Sequence, residues 1–143
     1  MNQQQCMRKS ERGQSLIELA LSFTILLILL AGVIDLGRAF YTFMALRDAA
    51  MEGAVYGGLY PTDTAGVEQR VRNSSANPVN MKDTNIKIAA TVIGAACNGN
   101  GIQVDVTYES FPFVMPFWKI FFGLESINIH AKIVDEILRP PCK

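Results

Sequence analysis

The stretch from Leu16 to Ile34 is apolar except for Glu18, Ser22 and Thr24. About 19 residues of this kind form a helix about 28 Å long, close to the thickness of a bilayer's hydrocarbon layer. The 143-residue chain then divides into an anchor and a single small domain. Arg8, Lys9 and Arg12 precede the run with one acid, Glu11. That charge bias keeps the N-terminus in the cytoplasm and sends the remainder across the inner membrane. Three kinds of segment share these features. A cleaved secretory signal has a shorter apolar region followed by a small-x-small site, whereas here the helical pattern continues past the run. A plain signal anchor fits length and charge but gives Glu18 no role; snorkelling near the cytoplasmic end only lowers its cost. The third kind makes Arg12-Gly13 a processing site.

The residues "RGQSLIE", Arg12 to Glu18, resemble the class III signal of type IV pilin-like proteins. The resemblance implies cleavage after Gly13 by a prepilin peptidase, a mature chain that starts at Gln14, and Glu18 as its fifth residue. It also implies a role for that glutamate: neutralising the N-terminal amine of a neighbouring subunit. The physical sense is that a carboxylate in an apolar setting requires a cation, and a new α-amine on an adjacent helix is one. Gln14 stands where major type IV pilins usually carry Phe, which points towards a pseudopilin. The following residues, "LLILLAGVIDLGRAFYTFMALRDAAMEGAVYG", resemble the TadE-like pseudopilins of tight-adherence (Tad/Flp) systems. The similarity is carried by Gly32, Asp35, Gly37-Arg38, Phe40, Tyr41, Ala49-Ala50 and Glu52-Gly53-Ala54 and covers about the first 60 residues. In a chain so divided, residues 1–13 are leader, 14–35 the membrane part of the helix, and 36–143 the extracytoplasmic domain.

Thirteen basic and thirteen acidic residues cancel. No basic patch suits nucleic acid and no acidic tract suggests a disordered tail. The single histidine, His130, falls on the polar face of a predicted strand with no nearby partner for catalysis or metal binding. No phosphate loop, nucleophile elbow or carboxylate pair is present. Glu18 and Asp35 are too far apart along one helix to act together. The reading is a non-enzyme without metal or cofactor. Of the three cysteines, Cys6 precedes the apolar run and Cys97 and Cys142 follow it. On an oxidising side the latter two form either a disulfide or a pair of free thiols, and their even number favours the bond.

Beyond the membrane, Leu36, Phe40, Phe43, Leu46, Ala50, Gly53 and Gly57 recur at helical spacing, predicting one helix from about Ser15 to about Tyr56 with this stripe turned to the domain core. The small residues at its far end permit close packing within the chain or against another subunit. Pro61 breaks the helix, and Asp63 or Thr64 caps a short helix through Arg72 that ends by about Asn77. The period then changes to two. Ile86 to Val92, Ile102 to Tyr108 and Ile127 to Ile133 alternate apolar and polar residues, predicting three antiparallel strands with a turn at Cys97 to Gly101. The fold class expected is α+β, pilin-like: a long helix packed on a small sheet. "FPFVMPFWKIFF", Phe111 to Phe122, is too apolar for a solvated loop. It covers the core, touches the membrane surface or docks a partner subunit, with Phe111, Phe113, Phe117 and Trp118 as its contact residues.

The function expected is a minor pilin-like subunit of a Tad-type pilus or secretion system, working with prepilin peptidase, other pilins or pseudopilins, the Tad assembly machinery and the membrane. It would belong to the fibre, to its tip or to assembly alone. The rival is an unprocessed single-pass anchor that displays a small binding domain.

Overall fold

A computed structural model describes residues 4–74 and 79–142, with the side chains of 4–12, 117 and 121 left outside that description. Helix α1, Gln4–Leu59, is continuous over 56 residues, about 84 Å at about 1.5 Å per residue. It begins earlier than the sequence pattern suggested, since the polar residues before Ser15 carry no apolar period but continue the helix. A short helix α2, Thr64–Asn73, returns against its far end. Strands β1, Ile86–Ile93, β2, Gly101–Pro112, and β3, Ser126–Glu136, form an antiparallel sheet in that order. A single turn of helix, α3, Phe117–Phe122, lies between β2 and β3. One sheet face is solvated and the other packs on α1, the arrangement that strict alternation dictates.

The core is built where the period-two residues meet the far half of α1. Ile86, Ile102, Val104, Val106, Ile129 and Ala131 from the sheet enclose Leu46, Ala49, Ala50 and Ala54 of α1 with Val67 and Val71 of α2. Small side chains on α1 are a packing requirement of this chain alone. A Cβ added to Gly53 would lie 2.5 Å from Val71 Cγ2, and one on Gly57 would lie 2.5 Å from Ile102 Cδ1.

The expected apolar stripe on α1 is correct only at its far end. Leu46, Ala50, Gly53 and Gly57 are buried, but Leu36, Phe40 and Phe43 are exposed. Steps of three and four residues do not close on a 3.6-residue turn, so the stripe drifts round the helix. Nearer the apolar span the inward positions belong to polar residues, Asp35 and Thr42. Thr42 satisfies its hydroxyl by donating to the Arg38 carbonyl at 2.9 Å.

Two local devices fix the ends of the domain. Asp63 caps α2 by accepting from the Gly66 amide at 2.9 Å and also accepts from the Tyr56 hydroxyl at 2.8 Å. At the far sheet end a disulfide joins Cys97 to Cys142. In the chain-entropy picture a loop with a sequence separation of 45 is worth about 4 kcal/mol. The near end is shaped by a bulge. β2 advances from Tyr108 to Phe111 while β3 moves only from Ile129 to Ile127. Ser110 sits at φ 57°, and its amide donates to Asn128 Oδ1 at 3.0 Å. The extra residue returns Phe111 to the core face, 5% exposed, where strict alternation would have turned it out.

Two predictions follow from this packing. Gly57→Leu forces a branched side chain into Ile102 and is expected to destabilise the domain by about 1–3 kcal/mol, read as a lower Tm of the detergent-solubilised chain. The Gly66 amide, then the Tyr56 hydroxyl, hold the Asp63 carboxyl below the usual carboxylate range. Its contribution is complete above the unfolded-state value and is lost as pH falls through the depressed folded value. Thermal melts across the acid range are expected to lose part of their pH dependence in Asp63→Asn.

Candidate functional site

Two carboxylates mark the two ends of the apolar span. Thirteen to 34 is the stretch of α1 that packs on nothing: its side chains from Leu16 to Ile34 are exposed or, at a few positions, half-buried, and the window of highest hydropathy has no buried share. The helix is long and apolar enough to cross a membrane, compatible with a single-pass anchor. Glu18 projects from its N-terminal end, exposed, and no hydrogen bond or ion pair joins it to any described residue. Gly13 is equally open, with nothing within 4 Å of where its Cβ would be. Packing among the described residues therefore explains neither the glutamate nor the glycine.

At the C-terminal end Asp35 has the opposite environment. It is 0% exposed and every lone pair is used. Its Oδ1 accepts from the Val114 amide at 3.3 Å and its Oδ2 from the Met115 amide at 3.1 Å. The Trp118 indole N–H also donates to Oδ2, at 3.1 Å. Arg38, one turn along α1, brings Nη1 to 3.4 Å from Oδ1 while its guanidinium stacks 5.3 Å from the centroid of the Phe111 ring. A buried charge with a cation and three directed donors is the arrangement that repays desolvation. About 26 Å of helix separates it from Glu18.

The segment that closes on Asp35 is the β2–β3 connection. Pro112 ends β2 and pairs with Ser126. The chain then crosses to α1 as a strap from Phe113 to Glu125. Pro116 starts α3, and Gly123, at φ 67°, ends it. There the Gly123 amide donates to Lys119 O at 3.1 Å and the Leu124 amide to Trp118 O at 3.2 Å, the paired bonds of a left-handed helix stop. Phe113 stacks on Trp118 with ring centroids 5.2 Å apart. Lys119 and Glu125 form a surface ion pair at 2.6 Å, which raises the lysine pKa and lowers that of the glutamate.

The four aromatic residues singled out from the sequence are thus distributed differently. Phe111 is core, Phe113 and Trp118 are half-buried in the strap's own stack, and the Phe117 side chain lies outside the described residues. The side chains that the strap presents outward are Val114, Ile120, Phe122 and Leu124. Beside Arg38 an open groove of about 620 Å³ is lined by Ile34, Gly37, Tyr41, Asp83 and Tyr108 among others. Burial, then the Asp83 carboxylate, push the Tyr108 phenol above its ordinary range. Sequence reasoning recognised Asp35 as part of a motif but not as the strap's anchor. Its one available signal was a carboxylate and a lone tryptophan, each adjacent to apolar sequence and each needing a buried partner.

Residues 13–55 match the family model described as TadE-like protein. The match opens at Gly13 and takes in both carboxylates; the sheet and strap lie beyond it. No curated protein and no solved structure matches the chain.

Asp35→Ala would leave three donors of the strap without their acceptor. The expected cost is about 3–5 kcal/mol, the range for breaking a buried charged network by removing one partner. Because Trp118 is the only tryptophan, its emission should shift to the red as the strap detaches, while far-UV circular dichroism keeps the helix signal.

Proposed function

We propose that the chain is a pseudopilin-type minor subunit of a Tad-type pilus or secretion system. It is cut after Gly13 by a prepilin peptidase and works by assembly, without catalytic turnover. Residues 1–13 are the leader, residues 14–35 hold the subunit in the inner membrane, and the remainder lies outside. The observation that carries this reading is Glu18, a carboxylate five residues after Gly13 on an apolar helix, with no partner among the described residues. In a bilayer such a group is expensive. A cation on a neighbouring helix would lower that cost, and cleavage after Gly13 creates one at Gln14, about 6 Å along the helix from Glu18 and brought level with it by a one-turn stagger between neighbours.

The surface of α1 supports the same reading. Leu36, Phe40 and Phe43 continue the exposed apolar surface of the span beyond the membrane. Helices drawn out of the lipid side by side would bury that surface against each other. Other pilins or pseudopilins and the Tad assembly machinery are the partners this implies.

Gly13→Val is expected to leave an inserted chain that keeps its leader, detected as slower migration on an immunoblot, and to abolish the chain's contribution to piliation. Glu18→Ala is expected to leave insertion and cleavage intact while pilus number falls. Normal piliation with an uncut Gly13 variant would instead favour a plain membrane anchor carrying a binding domain.

A further inference from the structure

The strap lies at a defined height. The far end of the sheet is fixed to α1 near Gly58, whose carbonyl accepts from the Leu138 amide at 2.8 Å. The near end is fixed at Asp35 by the strap amides. β2 therefore runs along α1 towards the membrane, and the strap is the part of the domain that extends furthest in that direction. The apolar span ends at Ile34, one residue before Asp35. A helix that fills the hydrocarbon layer from Leu16 to Ile34 places Asp35, and every group bonded to it, at the outer boundary of that layer.

At that level the strap exposes a patch that the chain does not cover. Val114 is 60% exposed, Ile120 73%, Phe122 62% and Leu124 43%. Ile34, the last residue of the apolar span and the neighbour of Asp35 in sequence, is also open, at 48%. Beside the patch stand the half-buried Trp118 and the Lys119–Glu125 pair, a polar rim around apolar side chains. Aromatic and aliphatic groups with a charged rim are the composition favoured in the interfacial zone of a bilayer.

We propose that the strap, residues 113–125, is a membrane-contact element: its outward side chains rest in the outer interfacial zone of the bilayer that α1 spans. Asp35 is its positioning residue, since the bonds to Val114, Met115 and Trp118 set the strap's height. The inference rests on the membrane-spanning part of the proposed function and is independent of cleavage at Gly13. Docked in this way, the sheet domain sits against the membrane instead of swinging on its helix. Withdrawal of the subunit from the bilayer then also lifts the strap out of lipid.

Trp118 provides the probe. The full chain is reconstituted into phosphatidylethanolamine–phosphatidylglycerol vesicles, and insertion is established by flotation and resistance to alkaline extraction. Tryptophan emission is then measured with lipids brominated near the headgroup end of the acyl chain or near its terminus. The expected result is strong quenching by the shallow bromines and weak quenching by the deep ones, with loss of the shallow quenching in Ile120→Glu/Leu124→Glu. Both of those side chains are exposed, so the variant should keep its fold and its flotation. An inserted chain whose Trp118 is unquenched by either lipid, or equally quenched in the variant, overturns the membrane contact while leaving the span intact. A chain that fails to float with the vesicles overturns the span and the contact together.

Discussion

The arrangement of this molecule depends on one buried carboxylate. Asp35 lies where the apolar span of α1 ends and a folded domain begins. Taking its charge out of water is costly, and the chain offsets that cost with two strap amides, an indole N–H and a guanidinium. The two amides and the indole come from a segment about 80 residues further on, so one local electrostatic demand closes the near end of the whole domain. The bulge at Ser110 and the stop at Gly123 shape the two ends of the connection: the first puts Phe111 beside Arg38, the second ends α3 so that the chain can return to β3.

The two acidic groups of α1 illustrate how environment assigns different roles to the same chemistry. Asp35 is saturated inside its own chain and fixes geometry. Glu18 has an open surface around it and no internal partner among the described residues, so its compensation has to come from elsewhere. Among the described residues, the span is thus satisfied at its Asp35 end and left without a partner at its Glu18 end. That asymmetry suits a protein stored singly in a membrane and later placed beside copies or relatives of itself.

Much of the fold was legible from periodicity. Alternation located β1, β2 and β3, because each strand has one buried face; Pro61 and Asp63 marked the boundary and the cap of α2. The near half of α1 misled for a physical reason. Leu36, Phe40 and Phe43 look like a core stripe, yet the domain packs against the neighbouring face through Asp35, Ala39 and Thr42, and apolar spacing cannot reveal an inward face made of polar groups. The strap was visible as an anomaly of composition, too apolar for a loop. Its partner was not visible, since a hydrogen bond between Asp35 and residues 114–118 leaves no local pattern. The one-residue bulge that re-aims Phe111 was equally silent, because period-two reading assumes an unbroken ladder. Gly13 and Glu18 were legible only through their resemblance to a processing signal, and the monomer's packing gives no competing explanation for either.

The most direct test of the account is the intact mass and first residue of the protein isolated from the membranes of its own host. A mass lacking residues 1–13, with Gln14 as the new N-terminus, is the predicted result; it would place the α-amine that Glu18 is proposed to meet. A full-length mass from cells in which the prepilin peptidase is active would contradict it, leaving a membrane-anchored domain whose glutamate merely reaches for the cytoplasmic interface.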